Sequence, residues 1–228
     1  GGAAMDKEVE EFFYKIKFPF TIGYGMTECG PLISYTHHSE FIPRSSGRIL
    51  EGYMQVKIDS SDPELIPGEI CVRGENVMAG YYKNREATEK VIDKDGWLHT
   101  GDMGTVNNDD TIFIKGRYKT MILGANGQNI YPEEIESKLN NMPFIMESLV
   151  IEKDGRLVAL VYPDYEAVDD YGIANEDLPV AMEEIRKNLN KEVAPYEQIA
   201  KIHLYPTEFE KTPKRSIKRY LYTNFSPI

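Results

Sequence analysis

The apolar residues of this chain change their spacing near residue 116, and that change limits the architectures open to it. Before it, segments such as MQVKI (54–58) and GEICVRG (68–74) alternate or cluster apolar residues over strand-length runs bounded by Gly and Pro. After it, stretches of helical period are interleaved with strands. A β-rich first part and a small α+β second part are therefore expected, a mixed α/β and α+β chain. The boundary is placed between residues 116 and 117 on the shift in pattern and on GRYK, not on any long linker.

Within the first part, residues 6–17 carry Val9, Phe12, Phe13 and Ile16 at helical spacing, which predicts a helix with an acidic solvated face. Residues 18–22 predict a short buried strand, ended by Gly23 and Gly25. NREATEKVID predicts a short helix capped by Asn84, and residues 107–110 predict the turn of a hairpin between GTV and TIFIKG. In the second part Pro132, Glu133 and Glu134 open a predicted helix with Ile135, Leu139 and Met142 on one face. ESLVIEK and RLVALVYPD predict two strands around Asp154-Gly155. Residues 179–194 predict a second helix, with Met182, Ile185, Leu189 and Val193 inward, and IAKIHLYP a third strand.

Hydrophobic residues make up 41% of the 228 positions, enough for a packed core, and the net charge of -11 argues against broad nucleic-acid binding. Two distant cysteines, Cys29 and Cys71, give no disulfide framework, and four histidines without CxxC or HxxxH give little support for zinc. A cytoplasmic setting is expected. No apolar run reaches the roughly 20 residues that span a bilayer. The first residues lack a basic segment followed by an apolar one, so no signal peptide is expected. With no Met at position 1, the chain reads as part of a longer polypeptide.

Five polar turns carry the candidate chemistry. In YGMTE (24–28), Tyr24 offers a ring for a base, Thr27 a hydroxyl for a phosphate oxygen and Glu28 a carboxylate for Mg2+. In WLHTGD (97–102), the carboxylate of Asp102 suits a ribose diol, since its two oxygens lie side by side. Arg117 in GRYK suits ribose or phosphate oxygens. GANGQN collects Gly124, Asn126 and Gly127, which allow backbone to pass close to a narrow ligand. Lys211, Lys214, Arg215, Lys218 and Arg219 form a basic run in an acidic chain. Taken singly, each also reads as an ordinary solvated turn or surface tail.

Their order and spacing, from GGAA through YGMTE, GEICVRG, GWLHTGD, IKGRYK and GQNIYPEEIE to KTPKRSIKR, resemble the adenylate-forming superfamily of acyl-CoA synthetases, luciferases and peptide-synthetase adenylation domains. GRYKTMILGANGQNIYPEEIE looks most like bacterial long-chain fatty-acid–CoA ligases. The resemblance implies an enzyme that converts fatty acid, ATP and CoA to acyl-CoA, AMP and pyrophosphate through an acyl-adenylate, with Mg2+. A small C-terminal domain turns about a hinge between the two steps. Alternatives are an adenylation domain that loads a carrier protein, or a non-catalytic homologue.

Carried onto this chain, the resemblance puts Gly2 and Ala3 against adenine, with Tyr24 and Gly25 in the same nucleotide site. It puts Thr27 at the AMP phosphate, Glu28 at Mg2+, Asp102 and Arg117 at ribose, Lys119 at the hinge and Gly127 on the pantetheine tunnel. Residues 1–116 then end a large AMP-binding domain, and residues 117–228 form its mobile C-terminal partner. Small-molecule substrates are the implied partners, with no nucleic acid and no transmembrane segment, and with room for peripheral membrane association of the parent. The family's phosphate loop falls upstream of GGAA, so this stretch alone is expected to be inactive. The family's TPxGK lysine falls on Ser216, which leaves Lys214 or Lys218 as substitutes.

Overall fold

The computed structural model describes residues 5–124, 126–213, 215–223 and 225. It divides into two compact units, one ending at Lys119 and one starting at Thr120. Gly2, Ala3 and Lys214 lie outside the described residues.

The first unit opens with helix α1, Lys7–Lys15, whose N-terminus is capped by the Asp6 carboxylate accepting from the Glu8 and Val9 amides. The helix forms as expected, but its burial does not follow the apolar pattern. Val9, Phe12 and Ile16 are exposed, whereas Glu10 is buried and accepts the Arg44 amide at 2.5 Å. A buried carboxylate is tolerable there because the backbone supplies its partner. Residues 18–22 form no strand. Pro19 has no amide to give to a ladder, and Thr21 Oγ1 donates to the Thr36 carbonyl at 2.6 Å instead. The first pairing comes later, where β1, Tyr24–Gly25, runs antiparallel to β2, Leu32–Ser34.

The main body of this unit is an antiparallel sheet of β3, Met54–Asp59, β4, Gly68–Gly74, β5, Leu98–Val106, and β6, Ile112–Arg117, in that spatial order. Ile70, Cys71 and Val72 are all fully buried, so β4 is covered on both faces, as its unbroken apolar run requires. Helix α2, Arg85–Glu89, is capped by Asn84, whose Oδ1 accepts the Ala87 amide at 3.0 Å. The β5–β6 hairpin turns at residues 107–110, with Asn107 Oδ1 accepting the Thr111 amide and Asp110 at φ 59°.

The second unit begins with a small ribbon, β7, Ile122–Leu123, paired with β8, Asn129–Ile130. Helix α3, Pro132–Leu139, follows, then β9, Ile145–Lys153, and β10, Arg156–Pro163. Asp154 and Gly155 sit at φ 51° and 72°, the double positive φ of a tight two-residue hairpin. Helices α4, Tyr165–Asp170, and α5, Leu178–Glu192, cross over to β11, Ile199–Leu204, which pairs parallel to β10. The sheet order is β11-β10-β9. Val150, Leu157, Ala159 and Val161 face a core with Ile135, Leu139, Met182, Ile185 and Leu189 from α3 and α5. Leu149, Ile151, Val158 and Leu160 face a second core closed by Phe209 and Tyr222 of the C-terminal segment. Two buried faces explain why RLVALVYP does not alternate. Among the described residues, no helix is long and apolar enough to cross a membrane.

Candidate active site

Tyr24 ends up beside Asp102 because β1 brings it into the first unit's core while β5 delivers Asp102 from 78 residues away. Tyr24 is only 7% exposed, so its neighbours take most of its surface. The phenol donates to Asp102 Oδ2 at 2.7 Å. Burial, and then the Asp102 charge, push the phenol far above its ordinary range, so it stays a donor at neutral pH.

Asp102 is held from three sides. Its amide donates to Thr100 Oγ1 at 3.1 Å, and that hydroxyl donates to the Ile70 carbonyl at 2.8 Å. Gly101, at φ +73°, turns the strand just before it, and Glu69 Oε1 accepts the Gly101 amide at 3.0 Å. Arg117 lies opposite Asp102 in the β5–β6 register and donates from Nε to Oδ1 at 2.8 Å. A carboxylate has about four lone-pair sites. Among the described residues Tyr24 and Arg117 take one on each oxygen, which leaves one on each for a diol. The donor set therefore fits a ribose.

Directly after Tyr24, Gly25 passes against the Pro31 carbonyl, where any Cβ would collide with the oxygen. This approach allows the Met26 amide to donate to Pro31 O at 2.8 Å and starts the 3-10 turn Thr27–Cys29. The turn is fixed from outside: Asn76 Nδ2 donates to the Cys29 and Leu32 carbonyls at 2.7 Å each, and the Met78 amide to Glu28 O at 2.7 Å. Thr27 is exposed, with no partner for its hydroxyl among the described residues. Glu28 Oε1 accepts the Tyr81 phenol at 2.9 Å, which raises that phenol's pKa, and Oε2 has no hydrogen bond among the described residues. One free carboxylate oxygen beside a free hydroxyl fits Mg2+ held jointly by a protein carboxylate and phosphates.

The remaining expected residues lie elsewhere. Lys119 is exposed at the division between the units. Gly127, between β7 and β8, has φ +78° and open space around a Cβ, so its backbone conformation rather than crowding calls for glycine. Lys218 is paired with Glu210, Nζ to Oε2 at 3.2 Å, and that carboxylate raises its pKa. Ser216 is exposed, and its carbonyl accepts the Thr212 amide at 2.8 Å.

Three pieces were not anticipated. Tyr81 buttresses Glu28, and Glu69 fixes Gly101, which suggests reading the lone acid in an otherwise apolar strand as a positioning group. The third lies in the second unit, where Glu136 is 8% exposed and chelated by Arg219 Nη1 at 2.8 Å to both oxygens, while Arg219 Nη2 donates to Val150 O. The Val150 amide donates to Glu136 Oε1 at 2.6 Å. Burial pushes the Glu136 carboxyl up to about 7, against the opposing pull of Arg219 and that amide. Arg219 belongs to the basic run of residues 211–219, and its partner, 83 residues away, leaves no local signal in the sequence.

The profile of the AMP-binding enzyme family matches residues 1–82, and that of the AMP-binding enzyme C-terminal domain matches residues 119–226. The chain is 35% identical to 4-coumarate–CoA ligase 5 of Oryza sativa subsp. japonica, over 96% of this chain and 41% of that protein. It is 32% identical to 4-coumarate–CoA ligase 1 of Glycine max, over 96% of this chain and 76% of that sequence. Among solved structures, the o-succinylbenzoate CoA synthetase of Bacillus subtilis in complex with its acyl-adenylate intermediate superposes with a TM-score of 0.82 at 26% identity. That match covers 99% of this chain and 45% of the other. The chain thus spans about two fifths of the rice ligase and under half of the bacterial synthetase. With both profiles, the soybean relative and this fold in agreement, the chain belongs to the AMP-binding, adenylate-forming enzymes, within their family of acid–thiol CoA ligases.

Proposed function

We propose that the protein containing this chain is an ATP-dependent acyl-CoA ligase that works through an acyl-adenylate. The observation that carries this reading is the Tyr24–Asp102–Arg117 node, with one lone-pair site on each Asp102 oxygen untaken among the described residues, three residues before the Thr27 hydroxyl and the Glu28 carboxylate, whose Oε2 has no hydrogen bond among the described residues. In this reading Asp102 and Arg117 hold the ribose, Tyr24 fixes Asp102, Thr27 donates to the α-phosphate, and Gly25 lets the backbone run close to the nucleotide. The resemblance assigns Gly2 and Ala3, which lie outside the described residues, to the adenine site. Glu28 would hold Mg2+, which supplies positive charge against the phosphate oxygens. The acid's carboxylate attacks the α-phosphorus and pyrophosphate leaves; a Lys in the tail, Lys218 or Lys214, screens the growing negative charge. The thiol of CoA, guided past Gly127, then attacks the acyl carbonyl and AMP leaves, after the second domain has turned about Lys119. Preplaced charges of this kind are each worth about 10²–10³ in rate.

The acyl group is proposed to be a fatty acid, on the likeness of residues 116–136 to fatty-acid–CoA ligases. An aryl acid is the second reading, favoured by the 4-coumarate and o-succinylbenzoate ligases among the relatives. Ser216 at the usual Lys position favours a third, a homologue that does not form adenylates. Assay of acyl-CoA formation by the full-length protein with a panel of fatty and hydroxycinnamic acids separates them. Palmitoyl-type products support the first and coumaroyl-type products the second. No acid-dependent consumption of ATP supports the third.

A further inference from the structure

The sheet of the first unit places an imidazole, a thiol and a carboxylate together on one face. Glu69 and Cys71 are two residues apart on β4 and so point the same way, and His99 lies directly opposite Cys71 in the β4–β5 register. His99 Nδ1 is 2.8 Å from Glu69 Oε2 and 3.6 Å from Cys71 Sγ, and the three donor atoms lie within 4.8 Å of one another. In a tetrahedral zinc centre with Zn–N near 2.0 Å and Zn–S near 2.3 Å, nitrogen and sulfur ligands stand about 3.5 Å apart. The nitrogen–sulfur edge already has that length; the oxygen–nitrogen edge has to open by about half an ångström.

Two of the three donors also have an orienting contact behind them. The other oxygen of Glu69 accepts the Gly101 amide at 3.0 Å. Asp93 Oδ2 lies 3.8 Å from His99 Nε2, and Asp93 is itself anchored by the Trp97 and Asp95 amides on Oδ1 at 2.9 Å each. Those amides, the Trp97 one first, hold the Asp93 carboxyl below the usual range, so it stays charged. Nδ1 now donates to the Glu69 carboxylate, and the Asp93 carboxylate near Nε2 can take up the displaced proton there when a cation claims the Nδ1 lone pair, the arrangement found behind metal-ligating histidines.

We propose that Glu69, Cys71 and His99 form a three-ligand site for one thiophilic divalent cation of the zinc or cadmium class, with a fourth position for water. Thiolate with imidazole and carboxylate is a donor set that selects such ions over Mg2+. The cation enters past the imidazole, since His99 and Glu69 are partly exposed while Cys71 is fully buried. On binding, Sγ loses its proton to solvent, the Nδ1 proton moves to Nε2, and three coordinate bonds form. Burial and the Glu69 charge push the thiol up to about 12, so the cation, not pH, has to drive that proton off.

The test is titration of the full-length, tag-free protein with Cd2+, read by the thiolate-to-cadmium charge-transfer band in the ultraviolet and by stoichiometry. The expected result is one cation per chain with the band present. The band is abolished in Cys71→Ser and retained in Cys29→Ser. Affinity falls at least about tenfold in His99→Gln and about tenfold in Asp93→Asn. Absence of the band in the wild-type protein overturns the proposal without recourse to any variant. So does a band that survives in Cys71→Ser, or affinities in His99→Gln equal to wild type.

Discussion

Asp102 answers simultaneously to a phenol, a guanidinium, a hydroxyl and, through Gly101, the carboxylate of Glu69. Its pair with Arg117 adds little stability by itself, because the Arg117 side chain is 63% exposed and solvent screens it. The node's value lies in holding two carboxylate oxygens at fixed positions. Glu28 is the parallel case, one oxygen tied to Tyr81 and one open. Glu28→Gln keeps the shape and the Tyr81 bond but loses the charge. Its adenylation rate at fixed Mg2+ is expected to fall by about 10²-fold, measured as acid-dependent ATP–pyrophosphate exchange in the full-length protein. Gly25 is set by space: Gly25→Ala drives a methyl into the Pro31 carbonyl and is expected to destabilise by about 1–3 kcal/mol in urea melts.

The tie between Arg219 and Glu136 fastens the C-terminal segment to the second unit's sheet, alongside the ring packing of Phe209, Tyr205 and Tyr222. Arg219→Ala leaves a buried carboxylate with one backbone donor and is expected to cost about 3–5 kcal/mol by denaturant unfolding. The Glu136 carboxyl titrates near 7 when folded, above its unfolded value near 4.5. A raised acid favours folding while it is protonated, so its contribution is full below about 4.5 and declines as pH rises to about 7. The stability of the wild type relative to Glu136→Gln is accordingly expected to drop across that window and level off above it, measured by urea melts at a series of pH values.

Strands were the most readable elements. MQVKI, GEICVRG and RLVALVYP owe their spacing to sheet faces, and local sequence reports that directly. The helix cap at Asn84 and the first helical position at Pro132 were equally plain. What was hidden depends on long-range partners. The inward side of α1 is set by the Arg44 amide, and residues 18–22 lose their ladder to Pro19 and a Thr21 side-chain bond. Helix α4, only six residues long, gave no periodic signal. At the site, motif order placed Tyr24, Asp102 and Arg117 together, while Tyr81 lies outside every motif and Glu69, though inside GEICVRG, shows its role only when strands pair.

Across the whole molecule, 37 acids against 26 bases give a surface on which a nucleotide cannot be held by net charge. In the proposed reading, recognition of an adenylate comes from local donors on rigid strands and turns, held by β1, β5 and β6 of the first unit. The second family profile begins at residue 119, one residue before the division after Lys119, and the unmatched stretch between residues 82 and 119 holds Asp102 and Arg117. The most direct measurement is calorimetric binding of a non-hydrolysable acyl-sulfamoyl-adenosine to the full-length protein and to its Asp102→Asn variant. Saturable binding that weakens by roughly 10- to 100-fold in the variant is predicted, the loss of charge-assisted hydrogen bonds to the ribose. No binding to the wild type, or equal affinity in both proteins, would contradict the assignment.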